Sequence, residues 1–356
     1  MTAILAIETS CDETAAAVIT DGHAIKSNIV ASQIDLHAQY GGVFPELASR
    51  AHAETISAVV GQAMTEAAMT YADLDAIAVT QGPGLVGSLL VGINFAKGLA
   101  LATGLPLLGI NHLEGHVYSL WLAPDFVEVE FPVLVVIVSG GHSELVVMRG
   151  HGLYRRIGGT IDDAAGEAFD KVGRLLGLPF PGGPAIEGAA RTGAIEAFDF
   201  PRAKTDGAYD LSFSGLKTAV MRTATVPPSG RRRGKLERRA EKRAPLRDDV
   251  NINDVSAAFQ DAVTDALVTS ACLAARDFNV NAVFLSGGVS ANQMLREKLS
   301  ARLRLPVCFP PLFLCTDNAA MIGAAAHFRY RAGHHSGLEF EARASWRLSE
   351  DVYAEK

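Results

Sequence analysis

The segment NHLEGH carries His112 and His116 four positions apart. On a helix that spacing sets both imidazoles on one face, a turn apart, where they can grip a single metal ion. Helices that bury one ring and expose the other show the same spacing, so the pair alone leaves both readings open. The acid between them narrows the chemistry. In an HExxH protease the glutamate follows the first histidine directly and acts as general base. Glu114 comes two residues after His112, roughly 200° round a helix, and points away from a metal held there. A metalloprotease built on this pair would lack its base.

Three glycine-rich turns, GPGLVGS, VSGGHS and SGGVSAN, each follow an apolar strand-like run. Main-chain amides in such turns can line an anionic phosphate because no Cβ blocks approach. No GxxxxGK[ST] occurs, and GLKT at 215–218 holds only its tail, read as a turn into a helix. Three such turns at strand ends point to a nucleotide cleft. Other polar residues have plain structural readings. Asp170 stands four before Arg174 as an intrahelical ion pair, and Asp317 before NAAMIGAAA reads as an N-cap. Asn292, and Glu187 beside PGGP, have similarly plain readings.

These residues need a frame to hold them. Apolar runs flanking ETSCDET predict a hairpin from Ile4 to Ile19. Pro45 opens a helix with Ile56, Val59, Val60, Ala63, Met64 and Ala67 at helical spacing. Strands follow at Leu74–Thr80 and Leu107–Ile110, with a helix to about Thr103 between them and another from His112. Beyond Pro132 the run VLVVIV, the turn SGGHS and ELVVM repeat the strand, turn, strand plan about 130 residues after the first. Helices at Asp162–Leu176 and Asp254–Arg276, a strand at Ala282–Leu285, a helix to about Leu303 and a last helix from Asp317 complete the pattern. The expectation is a duplicated α/β fold with two lobes, mixed sheets flanked by helices, and a cleft between them. The first lobe is set at 1–130, the second at 131–332 with a surface insert at 229–247, and a C-terminal tail at 333–356.

The 356 residues fit two domains or one large duplicated fold, and 49% apolar with 20% charged residues excludes a wholly disordered chain. A net charge of −7 argues against a generally basic nucleic-acid coat. Cys11, Cys272, Cys308 and Cys315 form no CxxC pair and read as reduced thiols of a cytoplasmic protein. The opening MTAILAIETSCDE lacks the basic start of an export signal. The most apolar window, Leu85–Ile110, holds Ser88, Asn94, Lys97 and five glycines, which suits a buried helix and strand better than a membrane span. One stretch departs from the rest: Arg231–Arg247 carries nine basic residues against Glu237 and Glu241, flanked by PPSG and AP. It reads as a solvated surface loop, with contact to an RNA backbone as the functional alternative.

Taken in order, AIETSCDETAAAV, GGVFPELASRAH, NHLEGH, VSGGHSELV, GEAFDKVGRLLGLPFPGGP, SFSGLKTA, LSGGVSANQMLREKL and TDNAAMIG resemble the motifs of the TsaD family. These are the tRNA N6-adenosine threonylcarbamoyltransferases, long labelled sialoglycoprotein endopeptidases (Gcp). The resemblance runs from Ile4 to about Tyr330 and implies the fold of actin, sugar kinases and the Hsp70 ATPase. It further implies that His112, His116 and Asp317 hold one divalent metal, commonly assigned as iron. Two nitrogens and an oxygen with open positions suit iron(II), and zinc would accept them. Ile137, Val138, Ser139, Gly140 and Gly141 would form a loop near the metal and the nucleotide phosphate. Asp170, Gly183, Glu187 and Asn292 would line the adenylate. Many relatives have aspartate where this chain has Glu187, one methylene longer.

The implied reaction is acyl transfer from threonylcarbamoyl-AMP to the exocyclic amine of the adenosine beside the anticodon, in tRNAs reading ANN codons. Position and charge stabilisation would carry most of the catalysis, since an aromatic amine is a poor nucleophile. Asp12 and Glu13 could face phosphate and metal from the opposite lobe, and no general base can be named. Implied partners are tRNA, a TsaB-like paralogue and a TsaE-like ATPase, with no membrane. The helix stripe from Ile56 to Ala67 is a candidate docking face. A small-molecule kinase of the same superfamily, a metalloprotease and a non-catalytic scaffold are the rival readings. If the basic insert supplements RNA binding, its deletion will flatten the salt dependence of tRNA affinity; an unchanged slope refutes that role.

Overall fold

The computed structural model describes residues 1–226 and 245–348. Two five-stranded sheets share one topology. In the first, β1 (Ala3–Glu8), β2 (Glu13–Thr20) and β3 (Ala24–Ser32) form an antiparallel meander, and β4 (Ala76–Gly82) and β5 (Leu107–Asn111) add in parallel beyond β1, giving the order β3-β2-β1-β4-β5. In the second, β6 (Val133–Val138), β7 (Ser143–Gly150), β8 (Leu153–Gly159), β9 (Ala282–Ser286) and β10 (Val307–Cys308) repeat it as β8-β7-β6-β9-β10. The expected duplication is present.

The helices are α1 (Ile34–Ala38), α2 (Pro45–Glu66), α3 (Val86–Thr103), α4 (His112–Tyr118), α5 (Ala165–Leu175), α6 (Gly182–Ala190), α7 (Ser214–Ala224), α8 (Ile252–Asp277), α9 (Gln293–Arg302) and α10 (Ala319–Arg331). Strands β3 and β8 were not expected from the sequence. They are the meander edges, and IKSNIVAS and LYRRIGG mix polar and apolar residues because much of each strand stays partly exposed. An edge strand needs no continuous apolar run.

Central strands are apolar on both sides because each side meets a different core. In β1, Ile4 and Ala6 enter one cluster while Ala3, Leu5 and Ile7 enter another. In β6, Val133, Val135 and Ile137 share the first cluster, and Leu134, Val136 and Val138 face a third. The period-two alternation of a strand makes that division. The shared cluster joins the inner faces of the two sheets and encloses α4 and α10. Helix α10 follows the second sheet in sequence yet packs on β1, β2 and α4 of the first. Its residues from Ala319 to Ala326 are all buried, and all but Met321 and Ile322 are alanine or glycine, which lets a helix sit in so narrow a space.

Helix α3 is long and apolar enough by composition to cross a membrane. Here Leu89, Ile93, Ala96 and Ala100 are buried in the first lobe's outer core, as its polar interruptions suggest. All four cysteines are free thiols. The basic insert lies outside the described residues except for its last three. At its base Thr225 bridges Leu246, with Val226 N–H donating to Pro245 O (2.9 Å) and Arg247 N–H to Ala224 O (2.9 Å). Residues 336–348 return to the first lobe: Ser336 bridges Leu107, and Trp346 and Leu348 are buried.

Gly115, between the two histidines, sets how closely α4 and α10 approach. A Cβ there would lie 2.7 Å from Ile322 Cδ1 and 3.3 Å from Met321 Cγ. Gly115→Val is expected to cost about 1–3 kcal/mol of stability through overpacking and to reduce metal retention. Thermal unfolding and metal analysis of the purified variant check both. Gly115→Ala should be milder, because the end of the Ile322 side chain can move.

Candidate metal centre and adenylate wall

Strand β5 ends at Asn111, whose side-chain oxygen accepts the N–H groups of Leu113 (2.9 Å) and Glu114 (3.4 Å) and so caps α4. The cap starts the helix at His112, with His116 one turn on, and both rings are buried at 4.7 Å centroid separation. At the start of α10 the cap is Asn318, whose Oδ1 accepts Met321 N–H (3.0 Å). The N-cap reading of Asp317 is corrected: its neighbour caps the helix, and its own carboxylate turns to the histidines. Asp317 Oδ1 lies 3.1 Å from His116 Nε2 and 3.5 Å from His112 Nε2.

The donor set fits a metal. The candidate ligand atoms of His112, His116 and Asp317 all lie within 4.8 Å of one another. Both ring nitrogens of His116 are buried without a hydrogen-bond partner, so its contact with Asp317 is close but lacks hydrogen-bond geometry. Buried polar atoms are seldom left so, and a cation between ring and carboxylate would satisfy Nε2.

Behind the ligands stands Glu8, fully buried at the end of β1. Its Oε2 accepts the Thr80 hydroxyl (2.6 Å) and lies 2.9 Å from His112 Nδ1, while Oε1 accepts Ser10 N–H. With Nδ1–H donated to Glu8, His112 Nε2 is the atom left for the metal. Burial alone would lower the His112 pKa, but Asp317 and Glu8 outweigh it and raise it to about 9. Burial likewise works to raise Asp317, yet the two imidazoles hold it far below the usual carboxylate range. Glu13 is pushed up to about 10 by burial and by Asp317 and Asp12. Its strand belongs to the same sheet that α4 and α10 pack on, so the Asp12–Glu13 turn flanks the ligands from their own lobe and not from the opposite one.

Glu114 faces elsewhere, as the helix period requires. It is fully buried and its Oε1 accepts the Tyr154 hydroxyl (3.1 Å). Burial lifts its pKa to about 7 in spite of Arg329.

The loop after β6 comes next. Ile137 and Val138 are buried with side chains in opposite cores, so only their main chain can meet a ligand. Ser139 N–H donates to His142 O (2.7 Å), and His142 N–H to Ser139 Oγ (3.1 Å). A Cβ on Gly140 or Gly141 would meet nothing within 4 Å, so both border open space. His142 is held down to about 4 by burial and by the charges of His112 and His116. The SGGVSAN turn backs this loop, with a Cβ at Gly287 falling 2.5 Å from Val138 O. The GPGLVGS turn is engaged otherwise: Gly84 N–H donates to Ala344 O and Leu85 N–H to Ser10 O. Of the three turns read as phosphate cradles, this one has those amides spent inside the protein.

Asp170, Glu187 and Asn292 join into one wall. Asp170 Oδ1 accepts Gly182 N–H (2.7 Å), tying α5 to α6. Glu187 Oε1 accepts Gln293 N–H (2.8 Å), tying α6 to α9. Asn292 Oδ1 caps α9 at Leu295 N–H (3.0 Å), and its Nδ2 donates to Gln260 Oε1 (2.9 Å) on α8. Gly183, beside this chain of bonds, has free space at its Cβ position. A cavity of about 140 Å³ opens here, lined by Ala38, Gly41, Asp170, Arg174 and Gly182 among others.

A family model described as TsaD, tRNA N6-adenosine threonylcarbamoyltransferase, matches residues 24–324. The chain belongs to the TsaD family. Relatives named tRNA N6-adenosine threonylcarbamoyltransferase include that of Thermomicrobium roseum, 51% identical over 96% of this chain and 95% of its own. That of Halalkalibacterium halodurans is 49% identical over 98% and 97%. Among solved structures, full-length HypF in its phosphate- and nucleotide-bound form aligns with a TM-score of 0.59 at 15% identity, over 94% of this chain and 47% of that one. Component A of the Acidaminococcus fermentans (R)-2-hydroxyglutaryl-CoA dehydratase gives 0.51 at 14% identity, over 93% and 99%. The fold is of the actin-like ATPase type.

The sequence reading of this TsaD chain passed over Glu8 and His142. Glu8 had a signal, since an acid closing an otherwise apolar buried strand needs a partner. Glu8→Gln is expected to weaken divalent-metal affinity by about 10–100-fold, measured by chelator competition on the metal-free chain. Metal must displace the His112 proton, so wild-type affinity should climb from neutral pH to about 9. In the variant, whose His112 pKa is lower without Glu8, that climb should level off at a lower pH.

Proposed function

We propose that this chain transfers the threonylcarbamoyl group from threonylcarbamoyl-AMP to the exocyclic amine of adenosine 37 in tRNAs reading ANN codons, releasing AMP. Family membership names the reaction class, and the convergence of His112, His116 and Asp317 beside the Ser139–Gly141 loop is the structural observation that carries it. His112, His116 and Asp317 would hold one divalent ion, iron(II) or zinc. When bound, it supplies a Lewis acid to orient or polarise the threonylcarbamoyl carbonyl.

This chain's own residues do the rest. Glu8 fixes the His112 ring. The main chain from Ile137 to Gly141, with open space at both glycines, receives the phosphate of the adenylate. Asp170, Gly183, Glu187 and Asn292 line its nucleoside, and Glu187 reaches it with one methylene more than aspartate. The donor is a mixed anhydride, already activated, so positioning of the amine and stabilisation of developing charge are the tasks left to the protein. The reaction belongs in the cytoplasm, with a TsaB-like paralogue and a TsaE-like ATPase completing the assembly. The bonding of Glu114 to Tyr154 speaks against a protease, since Leu113 and not an acid directly follows His112.

The test is direct. The purified chain with its two partners, threonylcarbamoyl-AMP and unmodified tRNA should yield threonylcarbamoyladenosine by nucleoside mass analysis. His112→Ala combined with His116→Ala should cut product at least about 100-fold while circular dichroism shows the fold retained. Undiminished product from that double variant would favour the scaffold reading.

A further inference from the structure

A second cavity, of about 280 Å³, lies between the SGGHS loop and the C-terminal segment 344–347. It shares no lining residue with the cavity at Asp170 and Gly182. Leu113, His142, Glu144, Arg156, Thr160 and Trp346 are among its walls. The C-terminal side is pinned in place: Arg343 N–H donates to Gln81 O (2.9 Å), and Asn111 Nδ2 to Trp346 O (3.4 Å). Two lining residues connect it to the metal centre. Leu113 follows His112 in α4, and His142 senses the charges of His112, His116 and Asp317.

We infer that this cavity receives the acceptor adenine of the RNA, with Glu144 orienting its exocyclic amine; the inference rests on the transferase reading above. Glu144 is 9% exposed, and one of its oxygens accepts Arg156 Nε–H at 3.0 Å. The other, Oε2, is buried with no hydrogen-bond partner. A carboxylate oxygen in that state calls for an N–H donor from a ligand. An exocyclic amine supplies one. The carboxylate at the threonyl end of the donor would instead meet like charge. The volume sits near the lower end of the roughly 300–1,000 Å³ range of ligand pockets, which suits one base and not a whole dinucleotide. Arg347 is exposed on the C-terminal wall, and Arg156 is one-third exposed at its side chain. Both can meet backbone phosphates of a nucleotide turned out of its stack. Donor nucleoside and acceptor base would then occupy separate cavities, with the SGGHS loop and the metal ligands adjoining the acceptor's.

The experiment uses the metal-loaded chain with its partners and an anticodon stem–loop RNA carrying 8-azidoadenosine at the acceptor position. Irradiation and peptide mapping should place the cross-link in residues 141–160 or 344–347. In parallel, Glu144→Gln and Arg347→Ala should each raise KM for the RNA about tenfold, with metal content and KM for threonylcarbamoyl-AMP unchanged. Cross-links confined to other segments, with both RNA KM values unaltered, overturn the assignment. A rise in KM for threonylcarbamoyl-AMP instead would give the cavity to the donor's threonyl end and equally overturn it. If wild-type enzyme makes no product in the same reaction, the transferase reading itself fails, which separates that failure from this one.

Discussion

Two buried imidazoles and a partly buried carboxylate come together where α4 meets α10, and the rest of the site depends on that meeting. Such a group is costly in a protein interior unless a proton or a cation compensates it. Here the compensation is partial: His112 has Glu8, while His116 has no hydrogen-bond partner on either ring nitrogen. The arrangement holds because Ala319, Ala320, Gly323 and Ala324 keep the first half of α10 slim and Gly115 leaves room for Ile322. A bulkier seam would separate Asp317 from the histidines, and a metal could no longer take all three.

The duplicated sheets explain where the ligands arise. His112 follows the carboxyl end of β5 and Glu8 closes β1, both at the edge where ligands gather in open α/β sheets. The matching edge of the second sheet supplies the loop after β6 and the turn after β9. These lie against each other because Gly287 lets the main chain approach Val138. The shared core between the sheets makes the two edges one surface. Residues 336–348 extend it by lying over the ends of β4 and β5.

Local patterns in the chain were a good guide to most elements and a poor guide to hydrogen-bond partners. The helical phase that turned Glu114 away from the histidines is a property of α4 alone, and the structure agrees with it. Asp317 looked like a helix cap because aspartate before an alanine-rich run usually is one, and nothing local told it from Asn318. Asn292 caps α9 and also ties it to α8, a second bond that no local pattern announces. The GPGLVGS turn looked as suited to phosphate as the other two, until residues far along the chain took its Gly84 amide.

What the residues determined unaided was periodic or adjacent: the strand and helix runs, the repeated plan, the four-residue spacing of the histidines, and motifs specific enough to show the family. Edge strands escaped because partial exposure removes the apolar run that marks a strand. Contacts between residues hundreds of positions apart were decided only in three dimensions. The pairing of Glu8 with His112, the approach of Asp317, and the wall that residues 344–347 add beside His142 depend on how α10 and the C-terminal segment pack back onto the first sheet. No local energy term encodes that packing, because it is set by the volume left between two sheets once both have folded.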